Sequence, residues 1–243
     1  MNLIIEQGNT AIKVAVYDRK ELLTSAVYGK FGMSELLPIF EQYSLENGIL
    51  SSVATPDSAW VEALKTRLPY FLVLDSRAKL PVEVRYLTPE TLGNDRVAVA
   101  VGANFLQPDK DLLIIDAGTA ITYEIVEASG AYVGGNISPG MTTRFRALHR
   151  FTEKLPLVGE QEHIPWMGTS TETAIQAGVV NGIVYEMDGY IHEARKKYPD
   201  VFVFLTGGHS FYFERRLKNS IFAAINLVLV GLNRILEYNV EKQ

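Results

Sequence analysis

The chain of 243 residues sets 23 Lys and Arg against 28 Asp and Glu, for a formal net charge of −5. That balance excludes a nonspecific electrostatic grip on nucleic acid, and the lack of cysteine excludes disulfides, thiol nucleophiles and thiolate metal sites. With 47% hydrophobic and 21% charged residues and no low-complexity run, the composition predicts a chain folded throughout, long enough for two lobes with separate cores.

Leu3–Glu6, Ile12–Tyr17 and Leu22–Val27 read as three antiparallel strands joined by the turns QGN and DRKE. A helix is expected from Ser34, as its N-cap, to about Gln42, then a strand over Gly48–Val53. Asp57 to Arg67 spaces Trp60, Leu64 and Leu68 for one buried helical face, and the apolar run Tyr70–Asp75 reads as a strand inside a parallel or mixed sheet. Pro89 stands where a helix would start, and Arg96–Phe105 is apolar enough for a core helix. Strands alternating with helices make the class α/β.

Polar Gln107–Asp111 is the expected lobe boundary, and beyond it the opening repeats as strands Leu112–Asp116, Ile121–Val126 and Tyr132–Ile137, with a helix after Pro139. Thr171–Tyr198 has a long helical pattern whose Gly178, Gly182 and Gly189 predict close packing or a break. Val201–Leu205 reads as a buried strand ended by Gly207-Gly208, and Ile221–Leu232 as a buried helix too short to span a bilayer. The chain opens directly on a strand, without a basic and apolar leader, so a cytoplasmic location with no membrane partner is expected. The four histidines, His149, His163, His192 and His209, show no ligand spacing.

The repeat carries the chemistry. In LIIEQGNTAIK and LLIIDAGTAITY, Glu6, Gly8 and Asn9 answer to Asp116, Gly118 and Thr119 at a constant offset of 110 positions. Each copy is an acid-x-Gly-[Asn/Thr] hairpin, and backbone N–H groups of two such turns suit one polyphosphate. Taken alone, the first copy also reads as an ordinary Gly-Asn turn, and the acid of the second as one satisfied by turn N–H groups. Gly93-Asn94-Asp95-Arg96 puts an acid and a guanidinium at the start of a helix, where N–H groups favour anions and arginine grips a carboxylate through two bonds. Gly134-Gly135-Asn136-Ile137-Ser138-Pro139-Gly140 is a turn before a helix or a close approach to a ligand, and Thr171 is a ligand contact or a helix cap.

This ordered set resembles the type III pantothenate kinases of the actin-like ATPase and sugar-kinase superfamily, from the first strand to the last helix. The resemblance implies a duplicated actin-like (ribonuclease H-like) two-lobed fold with mixed sheets flanked by helices, with lobes at 1–107 and 108–243. It implies ATP-dependent phosphorylation of pantothenate to 4'-phosphopantothenate, the opening step of coenzyme A synthesis, by a homodimer. Residues Glu6, Gln7, Gly8, Asn9, Thr10, Ala11, Ile12 and Lys13 would form the ATP-phosphate loop, with Glu6 near Mg²⁺. Thr119 would touch the phosphates, Asp116 would bind a monovalent cation (K⁺ or NH₄⁺), and Gly207 and Gly208 belong to the adenosine stretch. Asp95 would accept the proton of the substrate alcohol, while Tyr86, Gly93, Asn94, Asp95, Arg96 and Thr171 hold pantothenate. Two stretches depart from the family: Glu6 replaces an aspartate, and Ala224-Ile225-Asn226-Leu227 replaces a more acidic stretch. The alternatives are a superfamily kinase acting on another small alcohol and a non-catalytic regulator retaining the fold.

Overall fold

The structure, a computed structural model, describes residues 1–53 and 58–242 and divides into two compact units. The first holds Met1–Asp109, Ser129–Val133 and Asn226–Gln243; the second holds Lys110–Ala128 and Gly134–Ile225.

In the first unit β1 (Asn2–Gln7) and β2 (Ile12–Asp18) form the expected hairpin, and β3 (Glu21–Tyr28) extends it antiparallel. After α1 (Met33–Gln42), β4 (Asn47–Ser52) returns parallel to β1, and after α2 (Ser58–Arg67), β5 (Tyr70–Val73) lies parallel to β4. The sheet order is β3-β2-β1-β4-β5, which makes β1 central. Leu3, Ile5, Val14 and Leu50 pack on one face against Leu36, Trp60 and Leu64. Ile4, Ala15 and Ile49, at alternate positions, are as deeply buried, and burial on both faces is why these strands read as unbroken apolar runs. The short β6 (Glu83–Val84) and α3 (Asn94–Leu106) complete this stretch.

Three expectations are corrected here. Gly32, not Ser34, is the N-cap of α1: its N–H donates to the Glu35 carboxylate at 2.8 Å, while Ser34 sits inside the first turn and bonds the same carboxylate. The run from Tyr70 supplies the edge strand, with all four residues of β5 only partly buried, because among the described residues it pairs with β4 alone. Pro89 opens a single 3₁₀ turn, Pro89–Thr91, and α3 starts later, capped by Gly93. Asp57, the expected start of α2, lies outside the described residues.

The second unit opens with β7 (Leu112–Ala117), β8 (Ala120–Val126) and β9 (Ala131–Pro139), then α4 (Met141–Arg150) and α5 (Thr171–Lys197). It ends with β10 (Phe202–Thr206), α6 (Ser210–Glu214) and β11 (Phe222–Ala223). The sheet runs β11-β10-β7-β8-β9, and β6 adds to the Ala131–Tyr132 end of β9, residues that cluster with the first unit. β7 stands between antiparallel β8 and parallel β10 just as β1 stands between antiparallel β2 and parallel β4. The two hairpins therefore hold the same place in two sheets of the same strand order, as the 110-residue offset predicts. Ile115, Tyr123 and Leu205 pack against Val180, Ile183 and Met187 of α5.

α5 runs unbroken for 27 residues. A Cβ built on Gly178, Gly182 or Gly189 would meet nothing within 4 Å, so these glycines do not break the helix, and among the described residues nothing packs closely on them. Ile221–Leu232 is corrected as well: Phe222–Ala223 adds a strand to β10, and α7 (Leu227–Val240) begins only after Asn226, whose carbonyl accepts from Val230 N at 3.0 Å. α7 packs on α3 within the first unit so closely that a side chain at Gly231 would run into the Ala98 carbonyl. That contact fixes the helix whose N-terminus carries Gly93–Arg96.

Candidate functional site

The first hairpin places Glu6 directly opposite Lys13 in the antiparallel register, with Nζ and Oε2 3.1 Å apart. Glu6 is 8% exposed; a carboxylate that deep needs a counter-charge, since burying it alone costs several kcal/mol. Gly8 N–H closes the turn on the Ala11 carbonyl at 3.0 Å, and Gln7 accepts from Ser52 Oγ at 3.1 Å. Asn9 and Thr10 at the tip are exposed, while Ala11 and Ile12 are partly covered as the chain re-enters β2.

At the start of α3, Asp95 Oδ1 accepts the backbone N–H of Arg96 at 2.9 Å. A Cβ at Gly93 would lie 2.5 Å from that same oxygen, so glycine at the cap is what lets the carboxylate fold back over the first turn. Asn94 Nδ2 donates to the Leu74 carbonyl at 2.9 Å and ties the helix start to the chain after β5. Arg96 is 6% exposed with its guanidinium 5.5 Å from the centre of the Tyr86 ring, a cation–π arrangement. Tyr86 in turn leans on Tyr132 with ring centres 6.1 Å apart. Tyr86 follows β6 rather than lying on it. The first unit thus gathers Tyr86, Gly93, Asn94, Asp95 and Arg96 at one helix N-terminus.

In the second unit Asp116 is the half-buried acid near the end of an otherwise buried β7. Gly118 N–H closes the turn on the Ala120 carbonyl at 3.0 Å, and Thr119 is exposed at the tip. Gly207, at φ +93, follows β10 beside this acid, and a Cβ there would collide with Asp116 Oδ1. Gly208 follows it, and His209 N–H donates to the Ala117 carbonyl at 3.0 Å, so the Gly-Gly turn is laced to the second hairpin. Gly140 also packs onto that hairpin: its N–H donates to the Thr119 carbonyl at 3.0 Å, and a side chain would meet the Gly118 carbonyl. Thr143 Oγ1 reaches the same Thr119 carbonyl at 2.8 Å. Sequence reasoning missed Thr143, whose only local signal is a hydroxyl three residues past a helix-opening glycine.

Thr171 is the exposed first residue of α5, and the cap is Ser170, whose Oγ accepts from Thr173 N. That removes the capping explanation for Thr171. Among the described residues Thr171 lines an open apolar groove of about 830 Å³ with Leu148, Phe151, Ile175 and Gly178.

The family model for type III pantothenate kinase matches residues 2–193. A type III pantothenate kinase from Phocaeicola vulgatus is 48% identical over 240 residues, covering 98% of this chain and 99% of its own. The chain belongs to the type III pantothenate kinase family. Among solved structures, a Baf family protein from Campylobacter jejuni covers 98% of this chain and 99% of its own, with a TM-score of 0.63 at 20% identity. A candidate 2-dehydro-3-deoxygalactonokinase from Sinorhizobium meliloti covers the same shares with a TM-score of 0.63 at 12% identity. At those identities they show the fold alone, and it is the two-lobed α/β fold that the family resemblance implies. A kinase of this family works on ATP with a divalent metal. No group of three or more His, Asp or Glu gathers among the described residues. No helix among the described residues is long and apolar enough to cross a membrane.

Proposed function

We propose that this chain transfers the γ-phosphoryl group of ATP to the primary hydroxyl of pantothenate, giving 4'-phosphopantothenate and ADP in the first step of coenzyme A synthesis. The observation that carries the reading is the half-buried Asp95 at the start of α3, beside a buried Arg96 and Tyr86, in a chain of this family. Phosphoryl transfer asks a protein for alignment, charge neutralisation and a base. Asp95 takes the hydroxyl proton as the new O–P bond forms and the bond to the ADP oxygen breaks. Arg96 grips the pantothenate carboxylate, with Tyr86, Gly93, Asn94 and Thr171 as further contacts. The hairpin from Glu6 to Lys13 and Thr119 hold the phosphates, and Gly207 and Gly208 admit the adenosine. Glu6 and Asp116 would hold cations, Mg²⁺ and K⁺ or NH₄⁺ respectively, which neutralise phosphate charge when bound. The reading includes functional halves at 1–107 and 108–243 and a cytoplasmic location.

A homodimer is part of the same proposal. Gly178, Gly182 and Gly189 leave open space along α5, Tyr185 on the same stripe is 57% exposed, and Phe151 on the groove is 81% exposed. A second copy is the natural cover. Light scattering tests it, and a monomer fully active at nanomolar concentration would remove it.

An ADP-release assay with pantothenate against a panel of small alcohols tests the activity. Release with pantothenate alone is expected; release with another alcohol instead would make this a different kinase, and none at all would favour a regulator. Turnover is also expected to fall when sodium replaces potassium at fixed Mg²⁺. Indifference to that exchange, with Asp116→Asn still active, would remove the monovalent cation.

Glu6 makes a sharper test because its carboxylate already pairs with Lys13. Glu6→Gln is expected to lose activity strongly and to raise the Mg²⁺ requirement, since it leaves the ammonium uncompensated and removes the acid. Glu6→Asp, shorter by about 1.5 Å, is expected to stay active with altered apparent ATP affinity, because a water-bridged acid tolerates a change of length. Equal Mg²⁺ midpoints and equal turnover in wild type and both variants would make Glu6 only a strand-pairing acid.

A further inference from the structure

Away from the hairpins' tips, the second unit contains an ion network that no role has yet absorbed. Tyr123 on β8 is 2% exposed, stacks on Tyr190 with ring centres 3.9 Å apart, and donates its hydroxyl to Glu186 Oε1 at 2.7 Å. The other oxygen of Glu186 accepts from Arg144 at 2.5 Å. Arg144 does not stop there: its Nε donates to the Pro139 carbonyl at 2.8 Å and its Nη2 to Ser138 Oγ at 2.9 Å. Burial pushes the Glu186 carboxyl up, but hydrogen bonds from Arg144, Tyr123 and Ser138 outweigh it and hold the group below the usual carboxylate range. The carboxylate is therefore charged, and it holds Nη2, the nitrogen that also donates to Ser138, while Nε grips the Pro139 carbonyl.

The gripped carbonyl immediately precedes Gly140. Gly140 N–H and Thr143 Oγ1 both donate to the carbonyl of Thr119, so that oxygen is pinned twice from the start of α4. Gly140 sits so close that its missing side chain leaves no slack against Gly118. A shift in the Ser138–Gly140 segment is therefore transmitted to the Gly118-Thr119 turn. We infer that Arg144, locked by Glu186 and Tyr123, is the positioning residue of the second phosphate turn, holding Thr119 in the orientation that receives the nucleotide phosphates. The inference rests on the assignment of that turn to ATP. It adds a residue that acts on the turn through Gly140, the way outer partners of a ligand-binding group set its geometry.

The test is binding of the non-hydrolysable β,γ-imido analogue of ATP with Mg²⁺, measured by calorimetry, so it does not depend on the acceptor alcohol. Arg144→Gln is expected to weaken binding about tenfold, the loss that follows when a charge-assisted hydrogen bond no longer holds a ligand-facing turn. In turnover, KM for ATP rises while KM for pantothenate stays. Arg144→Lys keeps the charge but lacks the planar fork, and is expected to stay impaired. Where Arg144→Gln fails to fold or changes the oligomeric state, Tyr123→Phe decides: it removes one buried hydroxyl, lies outside the α4–α5 groove, and is expected to weaken the analogue about threefold. Unchanged analogue affinity in folded Arg144→Gln, or in Tyr123→Phe where that variant decides, would overturn the inference and leave the network a stabilising one. Full recovery by Arg144→Lys would overturn it too. A wild type that binds the analogue but releases no ADP with pantothenate would overturn the substrate reading alone; one that does not bind the analogue would overturn both.

Discussion

Asp95→Asn is expected to lower turnover by about 10²–10⁴-fold, the range of general-base contributions, while melting within a few degrees of wild type. The substitution is nearly isosteric, and the amide oxygen still accepts the Arg96 N–H that Asp95 Oδ1 holds at 2.9 Å. Gly93 still leaves room above it, since the Cβ that would crowd this oxygen is absent. What disappears is the affinity for a proton. The loss should appear in kcat with ATP affinity unchanged, because the nucleotide is assigned to other residues. Asp95→Ala is the complement: it removes the helix-start hydrogen bond as well, and the stability it loses beyond the Asn variant measures that bond, about 1 kcal/mol. Turnover of Asp95→Asn within a few-fold of wild type would exclude the aspartate as the base and leave it a capping residue of α3.

Much of this candidate site was legible in the sequence for one reason: a charged residue beside an uninterrupted apolar run is conspicuous, and it stands out twice at one offset. Glu6 and Asp116 each occupy that place, and the sheets around them share one strand order. The Gly93–Arg96 stretch was carried by its resemblance to the family and its place near a helix start, whereas Gly93 as the cap of α3 emerged only from the structure. Edge and centre were not legible. YFLVLD looks like a central strand, yet only β4 lies beside it, and apolar composition does not count neighbours. Nor could glycines in α5 be assigned, since Gly178, Gly182 and Gly189 face open space and a sequence says nothing of what a helix face meets. Arg144 was invisible for a different reason. Its partners stand 5, 6 and 42 positions away, two across a turn and one on another helix, and only the tertiary fold brings them to one guanidinium.

Gly207→Ala is expected to be strongly destabilising to the second unit. The residue has φ +93, a conformation that costs an L-residue roughly 1–2 kcal/mol, and the added carbon has nowhere to go. It would collide with Asp116 Oδ1 and lie 2.7 Å from both the N and the C of Ala117. The carboxylate can swing aside, but the backbone of a buried central strand moves only with β10, its parallel neighbour through Thr206 and Asp116. Overpacking of this kind costs about 1–3 kcal/mol, so the two terms together give a loss of roughly 2–5 kcal/mol, a fall in Tm of roughly 5–15 °C. The adjacent glycine is the control. A Cβ at Gly208 meets nothing within 4 Å, and Gly208→Ala is expected to change stability by less than about 1 kcal/mol, with a slight gain from the stiffer unfolded chain. Activity adds a second reading, because any accommodation of the Gly207 methyl displaces the Asp116 carboxylate. Turnover of Gly207→Ala should therefore fall even at temperatures where the variant is fully folded, and its response to potassium should weaken in parallel. Scanning calorimetry of both variants, followed by potassium titrations of the folded Gly207→Ala protein, separates the contributions. Equal melting of the two variants would mean that the turn after β10 relaxes freely. Lost stability with wild-type turnover and potassium response would mean that the position of the Asp116 carboxylate does not matter to the reaction.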